Sequence, residues 1–199
     1  QASTRHRARE VRSMALLVIL GIIVVILVAT VVAMYNRLVR LRNTAQSSFS
    51  DIDVQLKKRF DLIPSLVETV KAYASHEKEV LTKLTEARSM ATRATTPGEK
   101  ARSENMLKDT LKSLFAVAEA YPDLKANQNF MQMQNQLTAL EDGIEQARRY
   151  YNAVVRDLNT MIESFPANMI ASMFGFQQEE YFQLDSPETE RKPIRPDFS

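Results

Sequence analysis

The chain has 199 residues, 26 Lys and Arg against 24 Asp and Glu, 45% hydrophobic residues and no cysteine. A near-neutral balance carries no nucleic-acid footprint. The missing cysteine excludes disulfides, thiolate zinc sites, thiol catalysis and a lipid-modified N-terminal cysteine. With only 4 glycines there is too little glycine for a phosphate-cradling loop.

Residues 1–13 are a basic N-terminal segment, with Arg5, Arg7, Arg9 and Arg12 against Glu10. The chain begins at Gln1, so this segment reads as truncated or added, with Met14 as the expected start. Residues 14–35 are uncharged and broken only by Gly21, Thr30 and Tyr35. About 20 residues at about 1.5 Å each cross a hydrocarbon core of about 30 Å. Backbone groups in lipid must bond internally, so the run is predicted to be a transmembrane helix. A cleaved signal would be shorter, and Met-Tyr-Asn-Arg is no cleavage site. Arg37, Arg40 and Arg42 follow the run. With Met14 as the start, the positive-inside rule places the following domain in the cytoplasm; with residues 1–13 native, it favours the N-terminus inside.

Residues 36–165 read as all-α, the transmembrane helix continuing into an antiparallel up-down-up-down helical bundle. The first helix continues to about Arg59, with Leu38, Leu41, Ala45, Phe49, Ile52, Leu56 and Phe60 as its apolar stripe. Asp61 can cap a new helix and Pro64 fits a first turn, so a hairpin turn is predicted at 59–64. A kinked continuous helix is the competing reading. The second helix runs to about Ala94, its apolar face interrupted at His76 and Glu77. Thr96-Pro97-Gly98-Glu99 spells a capping box that starts the third helix. Pro122 stops that helix, and a loop follows to Asn127. In the fourth, Phe130, Met133, Leu137, Leu140, Ile144, Ala147, Tyr151, Val154, Leu158, Met161 and Phe165 alternate in threes and fours. That coiled-coil-like seam is core or a self-association surface, and Phe165-Pro166 ends it.

Tyr35-Asn36 with Asn43 echoes Tyr151-Asn152 with Asn159. In an up-down bundle both stretches are membrane-proximal, and the four amides are expected to pair there. Residues 166–184 form an apolar C-terminal segment too short to span. Met169, Ile170, Met173, Phe174 and Phe176 are expected at the membrane surface or folded back on the bundle. Phe182 and Leu184 suggest a docking stretch, and residues 185–199 read as a disordered tail.

Several segments now stand together: Tyr-Asn-Arg-Leu-Val-Arg-Leu-Arg-Asn (35–43), the 51–67 stretch ending in Arg-Phe-Asp-Leu-Ile-Pro-Ser-Leu-Val, His-Glu (76–77) and Ala-Arg (87–88). To these add Tyr-Pro-Asp-Leu-Lys-Ala-Asn (121–127), Arg-Arg-Tyr-Tyr-Asn-Ala-Val-Val-Arg-Asp-Leu-Asn (148–159) and Phe-Pro-Ala-Asn (165–168). The chain resembles bacterial LemA family proteins over about residues 14–184. The resemblance implies a single-pass inner-membrane protein with an antiparallel helical bundle. It implies little about activity, since the family has no established enzymatic function, and a magnetosome branch of the family is associated with membrane shaping.

No chemistry is legible in the sequence. His76 lacks a second His four residues on, and Tyr73, not a carboxylate, precedes it by three. Asp53 to Lys57 and Glu79 to Lys83 have the spacing of ordinary surface ion pairs. Arg59, Asp61 and Pro64 would form the tip of the hairpin, about 35 Å beyond the lipid at about 1.5 Å per residue, either a tip held by cap and ion pair or a docking surface for a partner. The expected function is a membrane-anchored scaffold without cofactor or metal, which touches lipid and forms a homo-oligomer. A membrane-bound adaptor or sensor that binds another membrane protein is the alternative.

Overall fold

The computed structural model describes the backbone of residues 2–183 and the side chains of Met14 and of residues 16–183. The predicted tail at 185–199 and Leu184 lie outside the described residues. The elements are α1 (Ala2–Tyr73), α2 (Lys78–Arg93), α3 (Pro97–Ala118), α4 (Pro122–Lys125), α5 (Gln128–Glu163) and α6 (Ala167–Met173). The chain divides into two compact units. Among the described residues, one is built from those up to 43 with 156–178, the other from 44–155 with 179–183. The stretch 36–165 therefore serves two cores rather than one.

In the larger unit, α1, α2, α3 and α5 enclose one hydrophobic core that includes Ile52, Ile63, Leu66, Leu84, Leu107, Leu114, Tyr151 and Val155. Polar and aromatic pairs fix the register. Along α1 and α5, Phe49 meets Tyr151 and Arg59 meets Glu141, and Tyr73 meets Asn127 just before α5 begins. Every step up α1 is matched by an equal step down α5, so the two are antiparallel. Asp53 with Lys100 and Arg59 with Glu104 run in the same sense, so α1 and α3 are parallel. This is the predicted up-down-up-down order. The α5 seam is core: Phe130, Met133, Leu137, Ile144, Tyr151, Val154 and Leu158 are buried.

The hairpin turn is not at 59–64. Helix α1 passes through Pro64 and ends at Tyr73, and the chain reverses at Ala74–Glu77. Proline has no N–H, so in a helix interior it leaves the carbonyl four residues back without its bond, at a cost of about 3 kcal/mol. That carbonyl belongs to Phe60, and Arg88 Nε on α2 donates to it at 2.8 Å. The replacement donor lets the helix continue. The break in the apolar face at His76 and Glu77 marks the true turn. There Tyr121 donates its hydroxyl to Glu77 at 3.1 Å.

The capping box is formed as predicted. Thr96 Oγ1 accepts from the Glu99 N–H at 3.2 Å, and the Glu99 carboxylate accepts from the Thr96 N–H. The same carboxylate accepts from the Thr95 N–H at 3.0 Å, and the Thr95 and Thr96 N–H groups hold the Glu99 carboxyl below the ordinary carboxylate range. Residues 122–125, expected as loop, make the single turn of α4, with Pro122 at its start and Leu124 buried.

In the smaller unit, α1 residues 16–33 are exposed throughout. Among the described residues, α1 is the one helix long and apolar enough to cross a membrane. Packing begins where this run ends. Leu38, Leu158, Ile170, Ala171 and Phe176 form a second core, with Met34, Val39, Leu41, Met161 and Ile162 against it. A glycine turn closes α6. Gly175 adopts φ +69°, the Phe176 N–H bonds Ala171 O at 2.9 Å, and the Gly175 N–H bonds Ser172 O at 3.4 Å. This is a Schellman cap, and it folds Phe176 back into the same core as Ala171.

Candidate functional site

Two features stand out: a charged cluster inside the larger unit and an outward apolar face in the smaller one. The cluster is built on three helices. Arg59 on α1 reaches Glu104 on α3 through Nη1, and the same nitrogen bonds Glu141 on α5 at 2.9 Å. Lys108 closes on the other oxygen of Glu141 at 2.7 Å. The Arg59 and Glu104 side chains are only 4% and 6% exposed, so both charges are out of water. Arg59 Nε and Glu104 Oε2 are buried without a hydrogen-bond partner. Burial pushes the Glu104 carboxyl up to about 7 against the opposing charge of Arg59, and nearby Glu141 pushes the same way. Burial also works against ionisation of Glu141. There Lys108 and Arg59 outweigh it and hold the carboxyl below its ordinary value.

This placement corrects the docking tip. Arg59 is core, not surface. Pro64 is exposed along the side of α1, and Asp61 is exposed and pairs with Lys57 at 2.8 Å. Asp53 therefore does not pair with Lys57 but with Lys100 on α3, while Lys83 and Glu79 form the expected pair at 2.6 Å. The cluster ties α1, α3 and α5 together through side-chain ion pairs. Among the described residues no group of three His, Cys, Asp or Glu side chains could hold a metal ion, and His76 is exposed in the α1–α2 turn.

The four asparagines do not form the expected set. Asn152 is fully engaged elsewhere: its Nδ2 donates to Phe182 O at 3.0 Å and its Oδ1 accepts from the Phe182 N–H at 2.9 Å. The side chain reads the backbone of Phe182 as a strand neighbour would. Tyr151 beside it donates to Glu180 O at 2.7 Å, and burial pushes its hydroxyl up to about 12. Together they fasten the C-terminal chain to the larger unit, with the Phe182 ring buried in its core. Asn36 and Asn43 are exposed, and Asn159 is buried. The docking role expected of Phe182 is thus met inside this chain.

The C-terminal apolar segment splits. Ile170 and Phe176 are buried in the second core, the folded-back of the two places open to them. Met169, Met173 and Phe174 are 63%, 77% and 53% exposed, as is Phe165 at 80%, outside the seam it was expected to end. The Phe174 ring lies 4.8 Å from that of Tyr35, the last residue of the apolar run.

A model of the LemA family matches residues 48–198. Magnetosome protein MamQ 2 of Paramagnetospirillum magneticum is 27% identical over 195 residues, which covers 85% of this chain and 72% of that protein. Protein LemA of Metamycoplasma hominis is 28% identical over 157 residues, covering 77% of this chain and 70% of that protein. Magnetosome protein MamQ of Magnetospirillum gryphiswaldense is 23% identical over 181 residues, covering 78% and 66%.

Proposed function

Because the chain belongs to the LemA family, we propose that it is a non-enzymatic, membrane-anchored helical scaffold that self-associates and organises the bacterial inner membrane around it, with the larger unit on the cytoplasmic side. The observation that carries this reading is the continuity of α1. One helix of 72 residues supplies the exposed apolar run and a full quarter of the bundle core. Such an element joins lipid to a folded domain without a linker. The relatives named as magnetosome proteins support an association with membrane. The α5 seam is spent on the chain's own core, so self-association falls to the exposed surfaces. The test is mass photometry of the full chain in nanodiscs beside a chain that starts at Asn36. A defined oligomer of the full chain is expected, and monomers of both at micromolar concentration would remove self-association from the reading. Metal analysis of the purified protein, expected to find no stoichiometric ion, tests against metal-dependent catalysis.

A second reading, the adaptor, has one surface in its favour. Met90 on α2 and Met106 on α3 are 52% and 45% exposed. They line one open groove with Arg93, Arg102 and Glu99. Exposed methionines adapt to varied apolar partners, and the two arginines suit an amphipathic helix with an acidic edge. A stoichiometric crosslinked partner lost on Met106→Glu would favour this reading over the scaffold.

A further inference from the structure

We infer that α6 is a second membrane contact: a short foot whose outward face, Phe165, Met169, Met173 and Phe174, lies in the lipid surface beside the mouth of the transmembrane helix. The inference rests on the proposed anchoring and adds where the chain meets the headgroup layer.

The polarity of α6 is inverted for a surface helix. Ala167, Ile170 and Ala171 face the second core. On a water-facing helix the opposite side would be charged. Instead the sequence holds no charge from Ser164 to Gln178, and beside the small polar Asn168 and Ser172 the exposed positions carry two methionines four residues apart with a phenylalanine at each end. Exposed apolar groups in a contiguous set mark an interaction surface. The neighbour of this set identifies its occupant. Residues 14–35 span about 33 Å at about 1.5 Å per residue, so Tyr35 falls at the hydrocarbon boundary if Met14 is at the other. Phe174 packs on Tyr35 at 4.8 Å, and Phe176 approaches the same ring at 5.9 Å. The outward face of α6 is therefore continuous with the lipid-exposed face of α1 at the depth where aromatic side chains settle. Arg42 lies over the Phe176 ring at 5.1 Å, and with Arg37 it supplies cationic groups for lipid phosphates, about half a turn (Arg37) and about two turns (Arg42) beyond the run. A helix of this kind sinks its apolar side about 5–10 Å into the headgroup and acyl boundary. The Schellman cap at Gly175 turns the chain back into the core, so the foot is a closed loop rather than a trailing end.

The chain has no tryptophan, so an introduced one is the sole emitter of its kind. Met173→Trp, Val25→Trp and Met106→Trp, each in the full chain, are reconstituted into vesicles of phosphatidylcholine brominated either near the headgroups or near the chain ends. Met173→Trp should lose most of its emission to the shallow bromines and little to the deep ones. Val25→Trp should show the reverse, and Met106→Trp should be unquenched by either. If Val25→Trp is quenched while Met173→Trp matches Met106→Trp, the foot is wrong and the anchor stands. A blue-shifted but unquenched Met173→Trp would mean that protein, a second copy of this chain, covers the face, which also overturns the lipid assignment. An unquenched Val25→Trp sinks the spanning reading by itself, and Met173→Trp then still decides whether α6 binds the surface.

Discussion

Changing Glu104 to Gln tests whether the buried cluster is held at the expense of a charge kept from water. Glu104 is 5% exposed, and its carboxyl is raised from 4.5 to about 7 by burial. The folded chain therefore binds this proton more tightly than the unfolded chain does. Stability from this group is fully present below about pH 4.5 and is lost as pH rises through about 7. At about 1.4 kcal/mol per pH unit, the loss is on the order of 3 kcal/mol across that window. Gln has the same shape and no proton to lose, so its profile lacks this component. The assay is urea unfolding of the full chain in mild detergent, followed by far-ultraviolet circular dichroism at a series of pH values. The offset between the two proteins at one pH is uninformative, because Gln also weakens the bond to Arg59. The change of that offset with pH is the readout. Wild type should lose about 3 kcal/mol relative to the variant between about pH 4.5 and about pH 8. Parallel profiles, or a wild type that gains stability with pH, would mean that the Arg59 charge outweighs burial, and the reasoning fails.

Three further outcomes follow from named contacts. Arg88→Met should cost about 1.5–3 kcal/mol by leaving the Phe60 carbonyl without its charged donor, but clearly less in a Pro64→Ala background, where the residue-64 N–H takes that carbonyl; equal costs in both backgrounds would refute the link. Asn152→Ala removes both bonds to the Phe182 backbone, and faster amide exchange over residues 176–183, with about 1–3 kcal/mol lost, is the expected result by exchange mass spectrometry and denaturation. Thr96→Ala should lower stability by about 1 kcal/mol, whereas Thr96→Gly should cost only about a few tenths.

What could be read from the sequence was local. The uncharged run at 14–35, the capping box at Thr96–Glu99 and the α5 seam each announce themselves within a few turns of chain. What could not be read depends on partners far away in sequence. Pro64 breaks a helix unless a donor reaches the Phe60 carbonyl, and that donor, Arg88, comes 28 residues after Phe60. A charge such as Arg59 reads as surface until Glu104 and Glu141 arrive from two other helices. The echo around Asn36 and Asn152 pointed to paired amides, but Asn152 takes a backbone 30 residues on. The polar break at His76-Glu77 is a local mark of the real turn, and the uncharged stretch 164–178 holds Met169, Met173 and Phe174, residues whose place at the surface was legible in the sequence.

The proline in α1 also dictates an order of events. Lipid drives the run at 14–35 to be helical without help from any other element, since its backbone has no water to turn to. The part of α1 beyond Phe60 has no such independence. Until α2 has been made and Arg88 has docked, Pro64 leaves a carbonyl open at a cost of about 3 kcal/mol, several times the gain from adding one residue to a helix. The stretch of α1 from Asp61 to Tyr73 is therefore completed from downstream, in one step with the hairpin it belongs to. An anchor that is ready first and a bundle that closes later let the chain be held at the membrane before its domain exists.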